Sequence, residues 1–156
     1  MEQNPLVIQL KTIQRHFNKV ISVLSEEDSA FKPEDGAMTV AQQVRHVTMT
    51  IDWFNDGTFS GKGFAMNFEE MLQKYFEAES LEAEKAEFDK AINRSIEIWS
   101  QKSMEELNLP IENDNIMGGA PKISSLYGIM DHTAHHRGSL ATYSRIIGKI
   151  APMPYE

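Results

Sequence analysis

At 156 residues, 41% of them hydrophobic, the chain is long enough to bury a core without covalent staples and suits one domain, 1–156. It contains no cysteine, which excludes disulfides, thiolate metal ligands and a thiol nucleophile of its own. A formal charge of −8 argues against binding a nucleic-acid backbone, since that calls for a basic footprint.

No apolar run approaches the roughly 20 residues that span a bilayer. The opening Met1-Glu2-Gln3-Asn4-Pro5 lacks the basic and apolar regions of a signal peptide. A cytoplasmic protein with no membrane partner is expected.

In chain order, Asn4 and Pro5 read as an N-cap followed by proline at the first helical position. Leu6, Leu10, Ile13, Phe17, Val20, Ile21 and Leu24 then recur at three- and four-residue spacing, predicting an amphipathic helix to about residue 25. His16 lies at the margin of that stripe and reads as a boundary histidine. Lys32-Pro33-Glu34-Asp35-Gly36 is a turn. Thr39 and Gln42 have the spacing of a capping box, and they open a second helix over 40–56 with Val40, Val44, Val47, Ile51 and Phe54 inward. His46 falls beside this stripe, near Gln42, Gln43, Met49, Thr50 and Trp53, where it can face a cleft against a second element.

Residues 57–67 hold three glycines and several aromatics, and they read as a loop whose phenylalanines cover the bundle. The order of a phosphate-binding loop is absent. A short helix from about Phe68 to Ala78 fits the same connection. Ser80 can cap a third long helix, with Leu81, Phe88, Ile92, Ile96 and Trp99 buried and the Glu/Lys-rich positions from Glu82 to Lys90 solvated. Residues 101–123, with Pro110, Gly118-Gly119 and Pro121, form a linker over the surface that can reach the mouth of a site. The last long helix should run from about Ser125 to Ile147, stopped by Gly148. The sum is an all-α four-helix bundle of antiparallel type, with long connections and room for a crossover. The nine methionines read as core fillers.

The last helix carries Asp131-His132-Thr133-Ala134-His135-His136-Arg137-Gly138. With about 100° per residue and His132 at zero, Ile129, Leu140, Tyr143 and Ile147 fall between roughly 20° and 80°. His136 lies inside that sector at about 40°, His132 at its edge, and His135 well outside at about 300°. His132 and His136 therefore stack on one face and can grip one ion from one side. A mononuclear site needs a third ligand, and His46 is the leading candidate. Neutral imidazoles suit zinc, nickel, iron or copper, and three of them leave positions for water or substrate. There is no HExxH and no ExxH, so neither the adjacent glutamate base of many zinc enzymes nor a ferritin-type di-iron set is present. Asp131 and Asp52 are possible acceptors for a histidine N–H, though solvated carboxylates are the plainer account. Arg137 can orient an anionic substrate or pair with an acid on the surface.

These residues carry a resemblance. Phe31-Lys32-Pro33, then Met38-Thr39-Val40-Ala41-Gln42-Gln43-Val44-Arg45-His46-Val47, the Asp131–Gly138 run, the closing Ile146-Ile147-Gly148 and the proline-rich tail are similar to the DinB/YfiT-like superfamily of metal-dependent enzymes, which is unrelated to the DNA polymerase of similar name. The resemblance implies a four-helix bundle and a divalent metal, zinc or nickel ahead of iron or manganese, on His46, His132 and His136. It also implies a homodimer and, for some relatives, a thiol-dependent S-transferase or isomerase reaction with a low-molecular-weight thiol. Ser139 departs from the Gln that many relatives carry after His-Arg-Gly. Two function classes follow. A metal-dependent transferase or hydrolase acting on a small-molecule substrate predicts an accessible site and a pocket near Trp53 and Tyr143. A non-catalytic metal-binding stress or interaction protein predicts an occluded one.

Overall fold

The computed structural model describes residues 4–155. Met1, Glu2 and Gln3, which begin the stretch read above for a signal peptide, lie outside them. The described residues form six α-helices in order: α1 (Pro5–Ile21), α2 (Val40–Phe59), α3 (Phe68–Phe76), α4 (Leu81–Ser100), α5 (Met104–Leu107) and α6 (Ser124–Ile146). No strand occurs among the described residues, only an isolated bridge between Pro110 and Pro121. No helix among them is long and apolar enough to cross a membrane.

The helix starts follow from their caps. Asn4 Oδ1 accepts from Leu6 N at 2.9 Å, with Pro5 at the first helical position. At α2, Gln42 N donates to Thr39 Oγ1 at 3.2 Å while Thr39 N donates to Gln42 Oε1 at 2.9 Å, the reciprocal pair of a capping box. Ser80 Oγ accepts from Ala83 N at α4. After α6 the chain turns at Gly148, where φ is +80°.

The four long helices form the expected bundle, in which α1 and α2 each pack against both α4 and α6. Cross-helix pairs give the directions. On α2 and α4, Arg45 meets Glu84, Asp52 meets Arg94 and Asn55 meets Ser95 and Trp99, so these two run parallel. On α2 and α6, Gln43 meets His136, His46 meets His132 and Thr58 meets Ser125, which is antiparallel. Gln9 against Met130 and His16 beside Arg137 make α1 parallel to α6. A parallel neighbour cannot be reached by a tight turn. Residues 60–80 must travel back along the bundle, and α3 is that return: Phe68 lies by Trp53, Tyr75 by His46 and Phe76 by Gln42.

The core is built from Leu10, Phe17, Val44, Val47, Ile51, Phe88, Ile92, Trp99, Ile129 and Leu140, with further leucine, isoleucine and valine. Three expectations change here. First, α2 runs on through Gly57 to Phe59. A Cβ at Gly57 would lie 2.2 Å from the ring of buried Phe64, so this glycine serves close packing inside the helix and does not end it. Second, no methionine among the described residues is buried; Met49 and Met71 line a cavity instead. Third, Glu84 is not on a solvated face. It is 3% exposed and pairs with Arg45 at 2.8 Å.

Candidate metal centre

His46 comes from α2, and His132 and His136 come from the antiparallel α6. The three rings form a near-equilateral triangle with centroids 4.8, 4.9 and 4.7 Å apart. One ligand nitrogen from each lies within 4.8 Å of the others, a group that can hold a metal ion. His46 Nε2 and His132 Nε2 are 3.0 Å apart. Imidazoles about 2.0 Å from one tetrahedral ion would have nitrogens roughly 3.3 Å apart, so the present spacing brackets what an ion needs. The donor set fits a divalent cation.

Burial favours the uncharged, ligating form of each ring. His132 is pushed down to about 4 and His136 to about 3, first by burial and then by the neighbouring histidines. His46 is lowered for the same first reason, with His135 adding to it. The helical wheel separated these histidines correctly: His136 is buried, His132 half-buried and His135 exposed.

Gln43 is the residue that the sequence reading missed. It is 2% exposed, and its Oε1 lies 3.0 Å from His136 Nδ1. A neutral imidazole that donates from Nδ1 keeps its lone pair on Nε2, the nitrogen free to ligate. The available signal was its position three residues before His46, on the same side of the helix. The carboxylates considered for this role do not fill it. Asp131 is exposed, and Asp52 is committed to Arg94 at 2.6 Å. His132 Nδ1 is buried without a hydrogen-bond partner.

His46 and His132 line a cavity of about 760 Å³, with buried His136 against both rings. Met49, Thr50, Trp53 and Phe54 of α2 form one wall, and Phe68, Met71, Leu72 and Tyr75 of α3 form its roof. Gly128, Asp131, His132, Ala134 and His135 of α6 complete it. Tyr75 stands edge-on to His46 with centroids 5.0 Å apart. The pocket is near Trp53 as expected, but Tyr143 is not part of it. That residue is 8% exposed, donates to Met38 O and packs on Phe31. Arg137 lies in a groove on the α1 side of α6, with Gln9, His16 and Tyr155. His16, edge-on to Tyr155, is lowered by burial and then by Arg137, and it belongs to that groove. Residues 101–123 do not line the cavity. They brace residues 61–64 through Asn113 and Asn115, while α3 takes the position expected of them at the mouth.

Among solved structures, the chain is similar to a DinB-like protein from Bacillus subtilis, at 21% identity and a TM-score of 0.72 with 96% of each chain covered. It is also similar to a DinB-like protein from Bacillus cereus ATCC 10987, at 19% identity and a TM-score of 0.75, covering 94% of this chain and 93% of that one. At such identities the likeness concerns the fold. No curated protein matches the sequence. The model of the DinB family matches residues 2–156, nearly the whole length, and the chain therefore belongs to the DinB family.

Proposed function

We propose that His46, His132 and His136 hold one divalent metal ion, zinc or nickel ahead of iron or manganese. We further propose that the site is that of a metal-dependent enzyme acting on a small molecule, as a thiol-dependent S-transferase or a related hydrolase. One observation carries this reading: three neutral imidazoles converge, and two of them, His46 and His132, line a cavity large enough for an organic substrate. Three protein donors with space beside them are the pattern of catalytic rather than structural sites. Bound there, a divalent ion supplies Lewis acidity and lowers the pKa of a thiol or water that reaches it.

The chain's own groups do the rest. Gln43 holds the His136 ring in its ligating tautomer. Tyr75 covers one side of His46, and burial raises its hydroxyl pKa, so the phenol stays protonated at neutral pH. The aromatic walls hold the substrate body and exclude water from it. Outside the triad, Asp131 and His135 are the lining residues whose side chains can serve as a general base.

The test is metal analysis of protein purified without an affinity tag. Wild-type protein should carry stoichiometric metal, and the His46→Ala/His132→Ala/His136→Ala variant none. Retention of metal by a folded triple variant would sink the assignment.

A further inference from the structure

The wall chemistry of the cavity says more than the donor set does. The stripe Phe68, Met71, Leu72 and Tyr75 is the apolar face of an amphipathic helix, at the i, i+3, i+4, i+7 spacing that normally meets a core. Here all four side chains line the cavity, and α3 has no buried residue at all. Phe68 remains 45% exposed and Leu72 40%. Across from them stand Met49, Trp53 and Phe54. An apolar body between the two walls would take both from water at once, completing packing that the helix lacks alone.

Charge narrows the choice. No lysine or arginine lines the cavity, and its one carboxylate is Asp131. The nearest cations of the roof and wall are engaged elsewhere. Arg45 pairs with Glu84 and donates to Lys74 O, and Lys74 pairs with Glu70. Arg137 belongs to the groove across α6. A carboxylate on the ligand body would lose water, find no lysine or arginine beside it and face Asp131, with the metal already taken by the head.

We infer that the ligand of this cavity carries a single metal-seeking head, such as a thiol, on an apolar body of aromatic size that bears no carboxylate. The head rests on the metal-site reading above; the body rests on the cavity walls alone. The site is thereby matched to hydrophobic thiols rather than to carboxylate-rich, peptide-like ones.

The experiment uses the full chain loaded with cobalt(II), whose absorption spectrum changes on thiolate ligation, titrated with benzyl mercaptan and with mercaptosuccinate. Benzyl mercaptan should bind at least about tenfold more tightly, a difference of about 1.4 kcal/mol. Leu72→Gln, at an exposed roof position, should weaken benzyl mercaptan severalfold and, adding no charge, leave mercaptosuccinate little changed. Asp131→Asn should tighten mercaptosuccinate. Equal or tighter binding of mercaptosuccinate by the wild type, or no binding of either thiol to cobalt-loaded protein, overturns the proposal. Failure to take up cobalt sinks the metal reading alone. The body is then judged by calorimetry on the metal-free chain, with naphthalenemethanol against naphthoate. A preference of about tenfold for the neutral compound upholds it; equal binding, or none, overturns it.

Discussion

A neutral imidazole offers a lone pair at one nitrogen only, so the contact between Gln43 Oε1 and His136 Nδ1 decides which nitrogen faces the triad. Gln43→Leu should lower metal affinity by roughly 10–100-fold while the fold persists, as chelator competition would measure; unchanged affinity would assign Gln43 to packing. The triad also makes the metal-free protein acid-sensitive. His132 and His136 titrate near 4 and 3 when folded, below the ordinary 6.5. Their burial therefore costs nothing above about pH 6.5, and stability falls as pH drops from there towards 4 and 3, because the unfolded chain takes up protons first. The urea midpoint of metal-free wild type should fall between pH 7 and 5 more steeply than that of a His132→Ala/His136→Ala variant. Parallel slopes would contradict this. The histidines themselves were legible, because helical phase separates His132 and His136 from His135. Gln43 was not, because a polar side chain beside an apolar stripe reads the same whether it meets water or an imidazole across the bundle.

Among the elements, α3 hangs from α2 by few bonds. Arg45 Nη1 donates to Lys74 O, and Gln42 Nε2 donates to Phe76 O, meeting carbonyls that a helix end leaves without partners. Arg45 also neutralises buried Glu84. Arg45→Ala should therefore cost on the order of 2–3 kcal/mol by denaturant unfolding, less than a fully buried pair because Arg45 keeps contact with solvent. It should also raise amide exchange across Phe68–Phe76, and an unchanged exchange pattern would show that the roof is held by packing alone. Two glycines separate helix propensity from packing. At Gly138 on α6 an added methyl group would meet nothing within 4 Å, so Gly138→Ala should gain up to about 1 kcal/mol. Gly57→Ala meets Phe64 and should lose about 1–3 kcal/mol despite the same propensity gain. Thermal unfolding of the two variants would decide it. The caps at Asn4, Thr39 and Ser80 were legible because their partners lie within three residues. The end of α2 and the burial of Glu84 were not, since a remote ring and a remote guanidinium determine them.

For the whole molecule, the bundle could be foretold because four long apolar stripes leave few other ways to cover themselves. The helix directions could not, because periodicity carries no information about which neighbour a helix chooses. Metal binding should couple the two long helices that carry the ligands. Zinc at a hundredfold excess over its Kd should stabilise the fold by about 2.7 kcal/mol, a rise in Tm of roughly 5–10 °C for a chain of this size. The triple histidine variant should show no rise. The parallel course of α2 and α4 has one more consequence. It obliges the chain to send a segment back over the cavity, and α3, the middle of that segment, has no buried residue. The stretch Phe68–Phe76 is thus an exchangeable cassette: evolution, or an engineer, can rewrite what the molecule admits by editing it while the helices that bear the histidines stay as they are.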